Sequence, residues 1–249
     1  SAATVTLAVI ILVVGIVSVS IFISSRARVP PFANISFTKV TVPRPIYTGC
    51  ISPDGKYIAY ISIRPVGQSL WLKQVATDSD VQLVAAAPVN YWAQQFSRDG
   101  QFVYYVIRGV LYRVPITGGT AERMFGRVDV FVISPDGKQI AFHRGSEKEK
   151  AVQFLTANLD GTNEKLLLQG AGDDPWFLSF DWSPDGKSIA FINGIPRGET
   201  MDWYVAEVPS SGGIEHRLTK PSTQRLRGLL WLPEGEHFLL SGDDPSGIA

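Results

Sequence analysis

The chain has 249 residues, in which 23 basic side chains balance 23 acidic ones, and it contains one cysteine. A general nucleic-acid-binding surface carries an excess of basic residues, so a formal net charge of zero argues against that class. The single Cys50 cannot form an internal disulfide, which excludes a disulfide-bonded scaffold. A composition of 45% hydrophobic and 18% charged residues is typical of a folded globular chain rather than a disordered one.

The N-terminal segment predicts a membrane helix. Residues 2–23 contain no charged side chain, and at about 1.5 Å per residue a helix of this length spans roughly 33 Å, enough to cross a hydrocarbon core. A buried helix and a signal-peptide core are the alternatives, but signal cores stop after about 7–15 residues and precede a small-residue cleavage site. We therefore expect one transmembrane helix with its flank at residues 1–28, followed by a proline-containing linker at residues 29–35.

A four-residue turn sequence recurs after the linker. Ser-Pro-Asp-Gly, or a variant of it, begins at residues 52, 97, 134, 183 and 232. Proline presets φ at about −65°, aspartate can bond its own backbone, and glycine adopts the left-handed conformation that closes a turn. The motif therefore predicts a hairpin turn and not a catalytic serine. Spacings of 37 to 49 residues in a β-rich chain indicate propeller blades of four strands each.

The strands around each turn also repeat. The strand after the turn glycine is apolar on both faces, as in Ile140, Ala141 and Phe142, whereas a strand with one wet face would alternate apolar and polar residues. Such strands are sandwiched when blades stack face to face. A third strand and a more polar fourth strand follow, and charge on the fourth fits an outer edge protected from further pairing. We predict an all-β propeller of about five repeats.

The ring of blades is expected to be incomplete. The last repeat reaches residue 249 where its third strand should begin, so we expect one or more further blades beyond it. Residues 37–42, with the sequence FTKVTV, are placed to supply the outer strand of a last blade. The chain begins with Ser1 rather than methionine, which suggests that another part precedes the membrane segment.

The repeats resemble a known family. The pattern Phe/Trp-Ser-Pro-Asp-Gly-Lys-x-Ile-Ala-Phe and the later strand at residues 211–219 resemble the WD40-like (PD40) repeats of TolB-type β-propellers over residues 36–249. No repeat ends in the Trp-Asp dipeptide of a true WD40 array. With the apolar segment, the pattern resembles the membrane-anchored propeller region of bacterial, especially acidobacterial-type, winged-helix regulators or Ser/Thr protein kinases. That resemblance implies a propeller on the periplasmic side of the inner membrane and a cytoplasmic effector upstream of Ser1.

The sequence carries no catalytic motif. It lacks the G-x-S-x-G nucleophile elbow, the P-loop and the kinase H-R-D and D-F-G motifs. His143, His216 and His237 have no metal-ligand spacing, so each is interpreted as a strand or turn residue. Cys50 is interpreted as a strand residue because no basic neighbour lowers its pKa, and the two Gly-Asp-Asp-Pro sequences are interpreted as turns rather than calcium sites. We expect no catalytic, metal-binding or cofactor-binding residues in this segment.

Four arginines occupy a repeated place. Each follows the second strand of its repeat, 7 to 11 residues after the turn glycine: Arg64, Arg108, Arg144 and Arg197. Since the strands run the same way in every blade, these side chains should collect on the face opposite the turns. We call this set the arginine rim, and it predicts a site for an anionic ligand or an acidic segment of a protein partner. The alternative is that the arginines bridge adjacent blades or bind loop carboxylates.

Three functions are compatible with these features. The resemblance favours a non-catalytic sensor or protein-interaction propeller, with membrane contact through residues 2–23 and no nucleic-acid contact by this segment. Similar propellers also form the gating domain of prolyl-oligopeptidase and dipeptidyl-peptidase enzymes, whose hydrolase domain would follow residue 249. In a TolB-like periplasmic binding protein the apolar segment would be cleaved. Arg26 and Arg28 alone would favour a cytoplasmic propeller, but long domains translocate regardless of a few flanking charges.

Overall fold

The computed structural model describes residues 40–77, 79–146, 151–171 and 179–243. The chain divides into two compact units, residues 1–41 and residues 42–249, and only Val40 and Thr41 of the first unit are described. The predicted membrane helix, the linker and the start of the predicted strand at residues 37–42 therefore lie outside the described residues, and residues 40–42 are not in a strand. Within the described part of the chain, we find no helix with the length and apolar character needed to cross a bilayer.

Four four-stranded antiparallel sheets follow one another along the second unit, each with its strands in chain order. Blade 1 consists of β1 (Ile46–Ile51), β2 (Tyr57–Arg64), β3 (Gly67–Gln74) and β4 (Asp80–Ala87). Blade 2 consists of β5 (Tyr91–Phe96), β6 (Phe102–Ile107), β7 (Val110–Pro115) and β8 (Glu122–Gly126). Blade 3 consists of β9 (Val130–Ile133), β10 (Gln139–Ser146), β11 (Ala151–Asn158) and β12 (Lys165–Ala171). Blade 4 consists of β13 (Phe180–Trp182), β14 (Ser188–Arg197), β15 (Thr200–Pro209) and β16 (His216–Arg217).

The fifth repeat forms a two-stranded hairpin, β17 (Leu226–Trp231) and β18 (Phe238–Gly242), within the described residues. The first strands of successive repeats contact each other, β1 with β5, β5 with β9, β9 with β13 and β13 with β17. These contacts place the first strand of every repeat innermost and arrange the sheets radially. The prediction of a β-propeller with four-stranded blades is therefore confirmed for four repeats.

The apolar core lies between the blades. On β10, Ile140 and Phe142 pack against blade 2, whereas Ala141 between them packs against blade 4. All three are fully buried. Side chains on both faces of the same strand are thus removed from water, and each Å² of apolar surface buried stabilises the fold by about 25 cal/mol. This two-sided burial explains why the strands lack the alternation of apolar and polar residues that an exposed sheet shows.

The same hydrogen bonds fix every Ser-Asp turn. In blade 4 the Ser183 hydroxyl donates to Asp185 Oδ1 at 2.7 Å and accepts from the Ser188 backbone N–H at 2.9 Å. Asp185 Oδ1 also accepts from the Lys187 backbone N–H at 3.1 Å. The equivalent serine bonds recur at Ser52, Ser97 and Ser134. The serine is a buried structural residue, as the motif predicts.

The turns of neighbouring blades also touch each other. A Cβ atom added to Gly137 would lie 3.8 Å from Arg98 Cβ, and one added to Gly186 would lie 3.9 Å from Pro135 Cδ. The second residue of one turn therefore packs against the glycine of the next. Gly137 has a φ of 72° and Gly186 a φ of 73°, so the backbone of a larger residue there would be strained, although its Cβ atom would make only ordinary van der Waals contacts.

Side chains from one innermost strand bond the backbone of the next. Gln95 Oε1 accepts from the Ile133 N–H at 2.9 Å, and Asp181 Oδ2 accepts from the Trp231 N–H at 2.9 Å. In both cases the acceptor lies two residues before a turn motif and the donor lies directly before the following one. Cys50 occupies the same place in blade 1 and bonds the backbone of Phe96. We call these contacts the inter-blade hydrogen bonds.

The turn aspartates predict a pH dependence of stability. Hydrogen bonds from the turn serine, and then from the lysine two residues on, lower the pKa of Asp54 and Asp185 to about 2, from an ordinary value of 3.8. Because the folded pKa is depressed, these carboxylates stabilise the fold above about pH 4 and lose that effect as the pH falls towards 2. Asp185→Asn should therefore reduce the fall in the urea unfolding midpoint between about pH 5 and pH 2.

Glu199→Gln is the matched control for this substitution. Glu199 is an exposed carboxylate with no hydrogen bond or ion pair to any other described residue. Its substitution should leave the pH dependence of the unfolding midpoint unchanged. An Asp185→Asn protein with the wild-type pH dependence would show that the turn carboxylates do not stabilise the fold through their ionised form.

Candidate interaction surface

The antiparallel blades give the propeller two different faces. The turn from the first to the second strand lies at one end of each blade, and the turn from the second to the third strand lies at the other end. We call the end that carries the Ser-Asp turns the turn face. The opposite end, which carries the second-to-third-strand turns and the connections between blades, is the loop face.

The polar groups of the turn face are largely used within the fold. A cleft of about 470 Å³ separates the first two turns and is lined by residues that include Asp54, Arg98 and Asp99. Both aspartates accept hydrogen bonds within their own turns. The Arg98 guanidinium donates to Ile133 O at 2.6 Å and to Ser134 O at 3.1 Å, and burial lowers its pKa. Of the charges named here, the two aspartates therefore close their own turns, and Arg98 joins blade 2 to blade 3.

Two members of the arginine rim are exposed on the loop face and have no side-chain partner among the described residues. Arg64 is the last residue of β2, and Arg108 lies in the two-residue turn between β6 and β7. Neither side chain makes a hydrogen bond or an ion pair with any described residue. Their guanidinium groups are available to an external anion.

The other two members of the rim make ion pairs within the chain. Arg144 is only 4% exposed, and its Nη2 lies 2.5 Å from Glu164 Oε2. Arg197 is exposed, and its Nη1 lies 3.3 Å from Asp202 Oδ2. These two arginines therefore bind carboxylates of the chain itself, which is the alternative that the sequence left open.

The structure adds Arg127 to the exposed arginines of the loop face. It lies in the connection between β8 and β9, where the Val128 N–H donates to Gly109 O at 3.0 Å. This bond joins the segment that carries Arg127 to the turn that carries Arg108. Sequence reasoning missed Arg127 because it falls between repeats and has no equivalent in the repeated arginine position.

Arg108 and Arg127 share an uncommon backbone conformation. Their φ angles are 50° and 63°, in the left-handed region that asparagine and glycine adopt more readily. For a residue with a Cβ atom, this left-handed conformation is roughly 1–2 kcal/mol higher in energy than the right-handed one. Arginine therefore stands at both places against the local conformational preference.

The histidines and the cysteine are placed as strand or turn residues. His143 is largely buried, which lowers its pKa, and its Nδ1 lies 3.9 Å from Asp129 Oδ2. Burial raises the pKa of the Cys50 thiol to about 12, so the reactive thiolate is scarce at neutral pH. Among the described residues there is no group of three or more side chains able to hold a metal ion.

Comparison with solved structures places the fold. A protein described as TolB from Agrobacterium tumefaciens superimposes with a TM-score of 0.65 at 24% identity, covering 82% of this chain and 72% of that one. TolB from Acinetobacter baumannii gives a TM-score of 0.57 at 23% identity, covering 84% and 54%. Oligogalacturonate lyase from Vibrio parahaemolyticus gives 0.61 at 14% identity, covering 80% and 59%. The chain thus spans little more than half the length of the last two proteins.

These likenesses establish a TolB-like propeller fold. At identities of 24% and below, a structural likeness shows only that the folds are similar. The similar structures include both TolB proteins and a lyase. No match to a described protein family is found, and none to a curated protein.

The conformation of Arg108 predicts a gain in stability on its replacement. Arg108→Asn should raise the free energy of unfolding by about 0.5–1 kcal/mol, because asparagine tolerates the left-handed region better. Urea-induced unfolding measures the difference. Arg64→Asn is the control, because Arg64 lies in a regular strand where asparagine has no such advantage. A less stable Arg108→Asn protein would show that the arginine contributes contacts that outweigh the strain.

Proposed function

We propose that the chain is a non-catalytic protein-interaction propeller that presents its loop face to a partner. It is the extracytoplasmic part of a bacterial signalling protein, held at the inner membrane by residues 2–23, with a winged-helix or Ser/Thr kinase effector in the cytoplasm. The partner is a protein or peptide, and the two unpaired members of the arginine rim, Arg64 and Arg108, receive its anionic group. Nucleic acid is not bound by this segment.

The observation that carries this proposal is the contrast between the two faces. The turn serines and aspartates bond each other within the chain, whereas Arg64 and Arg108 on the loop face have no partner among the described residues. Exposed guanidinium groups bind carboxylates and phosphates through paired hydrogen bonds. The hairpin of β14 and β15, each ten residues long, adds an extended contact surface at the same face.

The TolB-like fold supports an extracytoplasmic location without deciding the anchoring. The uncharged segment at residues 2–23 has the length of a membrane-spanning helix. Two alternatives make different use of the same propeller. In a TolB-like periplasmic protein the segment is removed, and in a peptidase of the prolyl-oligopeptidase or dipeptidyl-peptidase type the propeller gates a hydrolase domain that carries G-x-S-x-G.

Membrane fractionation separates the anchored protein from the cleaved one. The chain, produced in a Gram-negative host with its upstream part, should stay in the membrane pellet after alkaline carbonate washing. Its propeller should be digested when protease is added to spheroplasts. A soluble periplasmic protein that lacks residues 2–23 would favour the TolB-like alternative, and a propeller protected in intact spheroplasts would contradict the proposed side of the membrane.

Site-specific photo-crosslinking in the same cells tests the interaction role. A benzophenone amino acid at Glu199, in the β14–β15 turn of the loop face, should give one discrete protein adduct. The same group at exposed Lys187, in a Ser-Asp turn of the same blade, is the matched control and should give none. Adducts from Lys187 alone, or from neither position, would contradict binding through the loop face.

A further inference from the structure

Among the described residues, the unpaired arginines of the loop face are accompanied by exposed apolar side chains on blades 1 and 2. Trp92 is 61% exposed, Tyr47 60% and Val66 68%. Tyr47 and Trp92 are the second residues of β1 and β5, and Val66 lies in the turn between β2 and β3. With Arg64, Arg108 and Arg127, these side chains form a surface over blades 1 and 2. We call these six residues the blade 1–2 patch.

The charge of this patch is nearly all of one sign. The segments at residues 44–48, 63–67, 88–92, 107–110 and 126–129 contain a single acidic residue, Asp129. Asp129 Oδ2 already accepts from the Gly145 N–H at 2.8 Å. On blades 3 and 4, by contrast, the rim arginines are paired with Glu164 and Asp202. Unpaired positive charge therefore coincides with the exposed aromatic rings.

The chain enters the propeller beside the patch. The Arg44 guanidinium lies 3.5 Å from the centre of the Trp71 ring, donates to the Tyr60 hydroxyl at 3.2 Å and pairs with Asp80 at 3.4 Å. These contacts hold the entry segment to blade 1 just before β1 begins at the loop face. The described chain therefore enters the propeller at the loop face of blade 1.

We propose that the blade 1–2 patch lies against the membrane surface and binds the phosphate headgroups of anionic phospholipids. The inference rests on the proposed anchoring and names the anionic ligand of the exposed rim arginines. Arginine, tryptophan and tyrosine together are typical of the membrane–water interface, where the rings lie at the depth of the headgroups and the guanidinium groups bind phosphate. An acidic peptide is the competing occupant, but the chain entry at blade 1 favours the bilayer.

Hydroxyl-radical footprinting of the reconstituted full chain tests this proposal. The protein is placed in nanodiscs of phosphatidylcholine alone, or of phosphatidylcholine with about one quarter phosphatidylglycerol, and oxidation of Trp92 is measured by mass spectrometry. We expect oxidation of Trp92 to fall about threefold or more in the anionic discs. Each arginine near an anionic leaflet strengthens binding about fivefold, so the protection should weaken as salt is added.

Variants assign the protection to the patch. Arg64→Gln, Arg108→Gln and Arg127→Gln in one protein should restore the oxidation of Trp92 to its level in neutral discs. Lys56→Gln, Lys138→Gln and Lys187→Gln remove the same number of charges from exposed sites on the turn face and should change nothing. Trp92 oxidised equally in both discs, or protected equally in both and insensitive to the arginine substitutions, would overturn the proposal.

A third arm tests the competing occupant. Poly-glutamate added to the neutral discs should not protect Trp92, and protection equal to that of phosphatidylglycerol would assign the patch to an acidic protein segment instead. Failure of the proposed function is distinguishable from failure of this inference. If residues 2–23 do not anchor the chain, the protein does not co-purify with neutral discs, whereas binding of the patch to anionic discs is still scored by Trp92.

Discussion

The propeller depends on how one innermost strand holds the next. No backbone ladder joins two blades among the described residues, so the blades are joined by apolar packing and by the inter-blade hydrogen bonds. Gln95 and Asp181 satisfy backbone N–H groups of the following blade that the sheet itself leaves without a partner. A buried N–H without an acceptor costs about 1–3 kcal/mol, so each bond makes the position of the next blade specific as well as more stable. Between blades 3 and 4 the later blade supplies the side chain, and the Trp182 indole N–H donates to Val132 O at 3.2 Å.

The contacts between blades and the exposed arginines lie largely in different parts of the propeller. The inter-blade bonds and the stacked Ser-Asp turns occupy the inner strands and the turn face, and Arg98 strengthens that face by bonding two carbonyl groups of the next blade. The loop face also carries a contact between blades, because the Tyr91 N–H donates to Gln68 Oε1 at 2.8 Å, but its turns leave Arg64, Arg108 and Arg127 exposed. Arg108 and Arg127 hold left-handed conformations there, although local preference alone would select asparagine or glycine.

The period of the turn motif was sufficient to predict the fold, because Pro, Asp and Gly have backbone preferences that act locally. The inter-blade bonds could not be predicted, because Cys50, Gln95 and Asp181 differ in type and share only an ability to accept a hydrogen bond. For the arginine rim, the sequence predicted where each arginine lies in its blade but not which arginines pair with a carboxylate. Arg144 meets Glu164, 20 positions later, whereas Arg64 meets no described carboxylate. That difference depends on the path of the outer strand, which a repeat pattern does not contain.

Hydrogen exchange at single amides tests the central claim most directly. Because the Ile133 amide is held by the Gln95 side chain of the preceding blade, Gln95→Met should speed its exchange, while the Trp231 amide, held by Asp181, should keep its wild-type rate. That result would show that each inter-blade bond protects its own amide in a folded ring. Exchange of the Ile133 amide at the wild-type rate in the Gln95→Met protein would contradict the claim that the inter-blade hydrogen bonds hold one innermost strand to the next.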